Sequence, residues 1–310
     1  MGYLKYIGMR LVSLLFVIIG VTFFVFMIMS LAPGCPAVTL LGDGATPEAV
    51  EAKRIELGLN YPAIVQYGRF IINAAQGDFG TSFRTNQPVS NEVFARFPST
   101  LRLTMAGVVI AVVLSIPLGI IAAVKQNTMF DSMSMIGALI GVSMPSFWLG
   151  ILLILLFSVQ LGWLPSFGAT GWRSMIMPAL TLALVSMASI ARTTRSSMLE
   201  VVRQDYIRTA RAKGLPYSVV IRKHAIRNAM IPTLTIVGLV MGGLMGGAVI
   251  VENVFAWPGI GRLLIMSIHS LDMPTVLGCI TLFAVCFSVI NLIVDLLYGL
   301  INPRIRSQYS

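Results

Sequence analysis

Apolar residues in this chain are concentrated in six long runs that contain no charged side chain. A helix needs about 20 consecutive apolar residues to cross the hydrocarbon core of a bilayer, and each run is close to or above that length. The chain is therefore expected to be an all-α integral membrane protein with six transmembrane helices. The runs are residues 11–31, 103–124, 132–172, 174–191, 228–251 and 273–294.

The third run is long enough for two spans, but its second half is rich in residues that favour turns. Gly162, Pro165, Gly168 and Gly171 all lie there, and such residues interrupt helices. We therefore end the third helix near Gln160 and expect an external turn after it.

The first run could also be interpreted as a secretory signal. Lys5 and Arg10 precede it, and residues 32–35 resemble a lipoprotein cleavage site. Signal cores are usually about 7–15 residues long, which is shorter than this run, and Pro33 is unfavourable beside a cleavage site. We predict that the first helix, within residues 1–31, is retained.

The basic residues indicate which side of the membrane each loop faces, because short cytoplasmic loops carry an excess of Lys and Arg. With the amino terminus inside, 14 of the 22 basic residues are cytoplasmic, and nine of them lie in residues 192–227. Only Glu200 and Asp205 are acidic in that loop. We therefore predict a multi-pass protein of the cell (inner) membrane with both termini in the cytoplasm.

Overall composition agrees with a membrane protein. Hydrophobic residues make up 56% of the chain and charged residues 11%, whereas soluble proteins contain about 25% charged residues. The formal net charge of +10 could by itself suggest nucleic acid. Its concentration in predicted cytoplasmic loops is instead typical of a basic membrane protein, so membrane lipid is an expected partner and nucleic acid is not.

Residues 32–100 form a polar segment that we predict to be external, and it holds six of the twelve acids. Thr46 as a cap, Pro47 after it and Gly58 as a stop predict a short helix over residues 47–57. The chain then divides into an amino-terminal helix (1–31), this external segment (32–100), a core with five helices and a cytoplasmic loop at 192–230 (101–302), and a cytoplasmic tail (303–310).

Residues that could support catalysis are few. The chain has no G-x-x-x-x-G-K-[ST] phosphate loop and no C-x-x-C pair among its three cysteines. His224 and His269 fall on opposite sides of the predicted membrane, and neither has a neighbour at metal-ligand spacing. We predict no catalytic residue, no metal site and no cofactor bound by this chain, and interpret both histidines as packing residues.

Gly238, Gly242 and Gly246 recur at a four-residue spacing in the fifth run. Small residues at this spacing allow helix backbones to approach closely. The spacing predicts helix packing within this chain, with a seam facing a partner or a pathway as the alternative.

Three acids lie near the predicted membrane. Asp295, near the end of the last helix, is expected to pair with Arg192 or Arg195, because an unpaired charge at membrane depth is costly; a contact with a substrate is the alternative. Glu252 and Asp272 bracket the last external loop and are expected to be solvated.

The loop that follows the fourth run has the pattern of a helical hairpin. A short helix beginning at Asp205 should stop at Gly214, because glycine readily adopts the left-handed conformation of a helix end. On the helix that follows, one face at positions i, i+3, i+4 and i+7 contains Tyr217, Val220, Ile221 and His224. A basic amphipathic hairpin could lie on anionic lipid, but the small residues Ala210, Ala212 and Gly214 favour close contact with a protein partner.

The same loop carries a family resemblance. Thr209-Ala210-Arg211, followed after two further residues by Gly214, resembles the E-A-A-x-x-x-G coupling loop of ABC importer permeases of the oligopeptide, dipeptide, glutathione and nickel group. Thr209 and Arg211 replace Glu and the second Ala, and one residue fewer precedes the glycine. Residues 223–232 are similar to that group's H-A-L-R-N-A-x-x-P run. The resemblance extends to residues 76–80, 252–255, 257–261, 291–295 and 302–304. Cys35 departs from it, since relatives commonly have Asp there.

The resemblance implies a type I ABC importer permease fold, with residues 101–302 as the permease core. It implies that an ATPase-coupling element contains Thr209, Ala210, Arg211, Gly214, Tyr217 and His224. It also implies that an external gate or loop contains Glu252, Trp257, Pro258, Gly259 and Gly261.

The partners implied by the resemblance are a homologous permease subunit, two ATPase subunits that hold ATP and Mg²⁺, and an extracytoplasmic substrate-binding protein. The implied cargo is a peptide or a related small solute such as glutathione or nickel. A stand-alone secondary transporter or channel and a membrane enzyme are the alternatives. The chain lacks the paired broken helices typical of the former and the nucleophile or metal ligands that the latter would need.

Overall fold

The computed structural model describes residues 2–42 and 44–301, without the side chains of residues 2–7, 11, 295 and 297–301. The predicted tail at 303–310 and the side chain of Asp295 therefore lie outside the described residues. Within them, strand pairing is limited to one isolated antiparallel bridge between Thr81 and Pro88. The chain is all-α, as its pattern of apolar runs predicts.

Thirteen α-helices follow one another along the described residues. They are α1 Gly2–Leu31, α2 Pro36–Leu41, α3 Pro47–Glu56, α4 Ala63–Ala75, α5 Val89–Val124, α6 Met129–Ser143, α7 Ser146–Leu153, α8 Trp172–Val202, α9 Asp205–Ala212, α10 Tyr217–Val219, α11 Ile226–Val254, α12 Ile260–His269 and α13 Met273–Ile301. There are also two π-helical segments in the described residues. Ile154–Gln160 continues α7, and Val220–Ala225 joins α10 to α11.

Five of the described helices, α1, α5, α8, α11 and α13, are long and apolar enough to cross a membrane. A sixth crossing exists if α6 and α7, with the π-helical segment that continues α7, are counted as one span. The prediction of a continuous third helix is wrong, because that pair is bent by 104°. Pro145 accounts for the break: Met144 before it is extended, as steric contact with a proline ring requires.

The second helix starts well before the apolar run that predicts it. α5 begins at Val89, and its first turns carry charged residues together with a buried face formed by Val89, Val93 and Thr100. Helix length here is set by packing against the rest of the chain and not by the membrane alone. A hydropathy threshold therefore misses these turns.

α8 is the most buried of the spanning helices, and α5 packs along it at short range. A Cβ at Gly119 would lie 2.6 Å from the carbonyl oxygen of Ala191, and one at Gly107 would lie 2.9 Å from Cβ of Leu182. Glycine at these two positions lets the backbones approach. The largest apolar core lies where α5, α7, α8 and α11 meet, around Leu182 and Phe255.

The glycines of α11 have different environments. A Cβ at Gly238 would overlap Val294 of α13, and one at Gly242 would lie 3.2 Å from the Phe287 ring of the same helix. Gly246 is exposed, and outside the adjacent backbone of α11 no described atom lies within 4 Å of the position its Cβ would take. Two of the three glycines therefore pack against α13, while the third faces away from the described helices.

Residues 32–88 pack against the ends of α1 and α13 as a small helical unit. Thr46 caps α3 by accepting a hydrogen bond from the amide of Ala49 at 3.3 Å, and Gly58 after it has φ of +69°, as predicted. Tyr67 of α4 is buried against α1 and hydrogen-bonds with Thr22 at 3.0 Å. This unit is therefore fixed to the membrane helices by buried contacts.

Asp272 strengthens the attachment of that unit. Its carboxylate accepts hydrogen bonds from Ser82 Oγ at 2.6 Å, from the amide of Phe83 at 3.0 Å and from Thr275 Oγ1 at 2.8 Å. Only 1% of Asp272 is exposed. The expectation that Asp272 is solvated is wrong, because three donors from two parts of the chain replace water around it.

Candidate functional site

The predicted hairpin comprises α9, the turn at residues 213–216, α10 and the π-helical segment Val220–Ala225; these residues, 205–225, are called the hairpin below. Its turn is built on Gly214, which has φ of +76° and whose amide donates to the carbonyl of Arg211 at 2.9 Å. Apart from its two chain neighbours, no described residue has an atom within 4 Å of the position its Cβ would take. Glycine is therefore favoured here by backbone conformation and not by lack of space.

The inner side of the hairpin packs against the chain's own long helices. Ile207 and Ala210 are buried together with Val220, Ile221 and Ala225, against Met198 of α8 and Ala229 of α11. Ala210, which the resemblance places in a contact with an ATPase, is thus covered by this chain itself. This core attaches the hairpin to α8 and α11.

The face predicted from Tyr217, Val220, Ile221 and His224 is only half buried. Val220 and Ile221 are in the core, whereas Tyr217 is exposed and His224 is partly exposed. The difference arises because the helix is π-wound over residues 220–225, and a π-helix has i→i+5 hydrogen bonds. The i, i+3, i+4, i+7 pattern of an α-helix does not hold there.

The outer side of the hairpin is exposed and strongly basic. Thr209 and Arg211 are exposed, and the guanidinium of Arg211 lies 5.3 Å from the centre of the Tyr217 ring, which is a favourable cation–π distance. The exposed basic residues in and beside the hairpin are Arg203, Arg208, Arg211, Lys213, Arg222, Lys223 and Arg227. This surface suits an acidic or polar partner.

At the opposite end of α11, Glu252 is completely buried and is not solvated as expected. Its carboxylate accepts a hydrogen bond from Thr100 Oγ1 at 2.6 Å and another from the amide of Arg262 at 3.1 Å. Thr100 Oγ1 in turn accepts from the amide of Ile260 at 2.9 Å. Glu252 and Thr100 together satisfy amides in the first turn of α12, which have no partner within a helix.

The residues after Glu252 fit closely around this carboxylate. A Cβ at Gly259 would overlap the Glu252 carboxylate, and one at Gly261 would overlap Val249 of α11. The indole of Trp257 donates to the carbonyl of Ser99 at 3.1 Å. The W-P-G-x-G sequence at 257–261 is therefore a turn that brings α12 back onto α5 and α11.

An ion pair between Arg195 and Asp131 joins α8 to α6 near the hairpin. Arg195 of α8 donates two hydrogen bonds of 2.6 Å to the carboxylate of Asp131 on α6. Asp131 is 4% exposed and also accepts from the amide of Asn127 at 3.1 Å. The predicted Asp295 pairing with Arg192 or Arg195 involves a side chain outside the described residues; the carboxylate that contacts Arg195 is that of Asp131.

Comparison with known proteins gives the family of the chain. Residues 115–307 match the family of the binding-protein-dependent transport system inner membrane component, and residues 3–104 match that family's N-terminal membrane component. The chain belongs to this family. It is a permease subunit of an ABC importer, a transport subunit in the inner membrane and not an enzyme.

Relatives of the permease match over nearly its whole length. The dipeptide transport system permease protein DppB of Alkalihalophilus pseudofirmus is 45% identical, with 98% of the permease and 99% of the relative covered. The glutathione transport system permease protein GsiC of Escherichia coli is 46% identical, with the same coverage. The predicted recognition of the peptide and glutathione group is confirmed.

Two solved structures resemble the permease in fold. A chain of an amino acid ABC transporter, crystallised with histidines, is 19% identical, with a TM-score of 0.51 over 69% of the permease and 94% of that chain. A chain of the inward-facing MetNI methionine ABC transporter is 18% identical, with a TM-score of 0.56 over 67% of the permease and 95% of that chain. The predicted type I importer permease fold is confirmed.

Sequence reasoning on the permease missed Thr100, Asp131 and the burial of Glu252. A signal was present for Asp131, because Thr128 three residues before it forms a helix cap that accepts from the Asp131 amide. For Glu252, the two glycines at 259 and 261 were a sign that something large must fit beside them. Thr100 gave no signal in the sequence.

Proposed function

We propose that this permease imports peptides or a related small solute such as glutathione, together with a homologous permease subunit, two ATPase subunits and an extracytoplasmic binding protein. The relatives that transport dipeptides and glutathione, matched over 98% of the chain, carry this proposal. Nickel remains a candidate cargo from the sequence resemblance.

The proposed orientation has the hairpin and both termini in the cytoplasm and residues 32–100 outside. It is supported by the basic surface of the hairpin, because positive residues are enriched in cytoplasmic loops. Cysteines introduced at Glu56 and at Lys213 in a cysteine-free background test it. An impermeant thiol reagent should label intact cells at Glu56 only, and at Lys213 after permeabilisation; labelling of intact cells at Lys213 would reverse the orientation.

In the proposed mechanism the hairpin couples ATP hydrolysis to movement of the helices. ATP and Mg²⁺ are held by the ATPase subunits, and this chain binds no cofactor. Closure of the ATPases displaces the hairpin, and the helices change between inward-open and outward-open states because the partners bind the two states with different affinity. The exposed contacts are Thr209, Arg211, Gly214 and Tyr217, while Ala210 supports them from within.

Purification and transport test the proposed function directly. The permease should copurify with two ATPase subunits and a homologous permease, and the complex in proteoliposomes should take up a labelled dipeptide only with ATP and the binding protein. Unlabelled glutathione in excess shows whether it shares the route. Uptake by this chain alone, without ATPases, would replace the proposal with a secondary transporter.

A further inference from the structure

A groove of about 510 Å³ lies between the last three turns of α8 and the first four turns of α11, next to the hairpin. This volume is within the range of roughly 300–1,000 Å³ that is usual for small-molecule sites. Thr193, Ser197 and Glu200 line it from α8, at positions i, i+4 and i+7 of one helix face. Asn228 and Thr235 line it from α11.

The polar groups of this groove are not fully used inside the chain. The side chains of Thr193, Ser197 and Glu200 make no hydrogen bond or ion pair within the described residues, although Ser197 is buried. Other acids near this end are engaged: Asp131 binds Arg195, and Asp205 lies near Arg208. Glu200 is exposed, so its carboxylate is open to a ligand that enters the groove.

The charge of the groove limits what it can bind. Glu200 is the one charged side chain among its lining residues, although the surrounding loop is strongly basic. A cationic group is therefore favoured beside Glu200, while the hydroxyl and amide groups can bind peptide units. Leu239, which is half exposed, and Ile231 provide apolar wall. A short peptide has this combination of one ammonium group, amides and small apolar side chains.

We propose that this groove binds the peptide cargo on its cytoplasmic side, with the carboxylate of Glu200 accepting hydrogen bonds from the peptide's terminal ammonium group. The inference rests on the proposed function, since it assigns a cargo site to the same permease. Thr193 and Ser197 contact the peptide units. The groove would thereby favour a cargo with a free amino terminus.

Uptake of a labelled dipeptide by cells with the whole importer is the first test. Glu200→Gln should reduce uptake about tenfold, the effect of losing one hydrogen bond to a charged group, while Glu200→Asp retains most of it. Membrane abundance and ATPase activity stimulated by the loaded binding protein should stay within about twofold, because Glu200 contacts neither partner in this proposal. Glu48→Gln, which removes an exposed acid from α3, is the matched control.

The second test measures binding without transport. Leu239→Cys in a cysteine-free background places a thiol in the groove of the whole importer, in inside-out vesicles without nucleotide. Alanyl-alanine should slow its reaction with an impermeant maleimide several-fold. N-acetyl-alanyl-alanine should not, and neither should alanyl-alanine when Glu200→Gln is also present.

The outcomes separate this proposal from the proposed function. Normal dipeptide uptake by Glu200→Gln together with absent protection would overturn the site while leaving the importer intact. Failure of the unmodified importer to take up any dipeptide would instead refute the proposed cargo. A thiol that reacts in the isolated chain but never in the whole importer would show that a partner subunit covers the groove, which also overturns the cargo site.

Discussion

Thr100→Val is the substitution that tests the buried Glu252 cluster most directly. Valine keeps nearly the shape of threonine but removes the hydroxyl. That hydroxyl donates to Glu252 at 2.6 Å and accepts from the amide of Ile260 at 2.9 Å. Both partners are fully buried, so no water replaces the lost group.

The expected loss of stability follows from these two contacts. A hydrogen bond to a charged group contributes about 1.5–3 kcal/mol, and a buried amide left without an acceptor costs about 1–3 kcal/mol. Since the two effects share one hydroxyl, we expect a combined loss of about 2–5 kcal/mol. At about 2 °C per kcal/mol for a chain of this size, the midpoint of thermal unfolding should fall by roughly 4–10 °C.

Thr104→Val provides a control on the same helix, one turn away. Thr104 is equally buried, but its hydroxyl has no hydrogen-bond partner within the described residues. Removing an unpaired hydroxyl should be neutral or slightly stabilising. The measurement is the temperature at which half of the purified protein in detergent loses its monodisperse elution peak. Equal midpoints for the two variants, or a lower one for Thr104→Val, would refute the assigned role of Thr100.

Three further predictions concern the hairpin and the helix contacts. Gly214→Val should abolish uptake at normal membrane abundance, whereas Gly214→Asn should retain most of it, because asparagine tolerates positive φ. Equal uptake by the two variants would show that the turn has no role in coupling and would favour a hairpin that lies on lipid. Asp131→Asn should lower the free energy of unfolding by about 1–3 kcal/mol, because Arg195 loses a charged bidentate partner. An unchanged midpoint of thermal unfolding would mean that the ion pair is not formed. Gly119→Ala should lower the midpoint of thermal unfolding by several degrees, because its methyl group would meet the backbone carbonyl of Ala191. Gly137→Ala should leave the midpoint unchanged, because outside the adjacent backbone of α6 no described atom lies within 4 Å of the added methyl group.

The helices of the fold could be predicted from the sequence because each apolar run is a local signal. The bend between α6 and α7 could not be placed from hydropathy, since the apolar run continues through Pro145 without interruption. The early start of α5 was missed for the opposite reason. Its first turns are polar on one face, and their burial depends on α12 and α13, which are far away in sequence.

Burial of acids depends on the same long-range contacts. Glu252 ends an apolar span, a position where a solvated side chain is the simplest expectation, yet it lies 152 residues from the threonine that binds it. The hairpin shows the reverse error. Ala210 is small and lies beside basic residues, which suggested a surface contact, but its own chain covers it.

The burial of Ala210 changes what a coupling experiment measures. Because the hairpin core that contains Ile207 and Ala210 packs on both α8 and α11, a force on the exposed side of the hairpin acts on these two helices together. The same two helices form the walls of the groove that contains Glu200. A displacement of the hairpin therefore changes the shape of the groove directly.

Ala210→Asp would place a charge inside this core and unfold it locally, so its failure to transport would not identify a contact with an ATPase. Substitutions on the exposed side, at Thr209 or Arg211, leave the core intact and separate docking from folding.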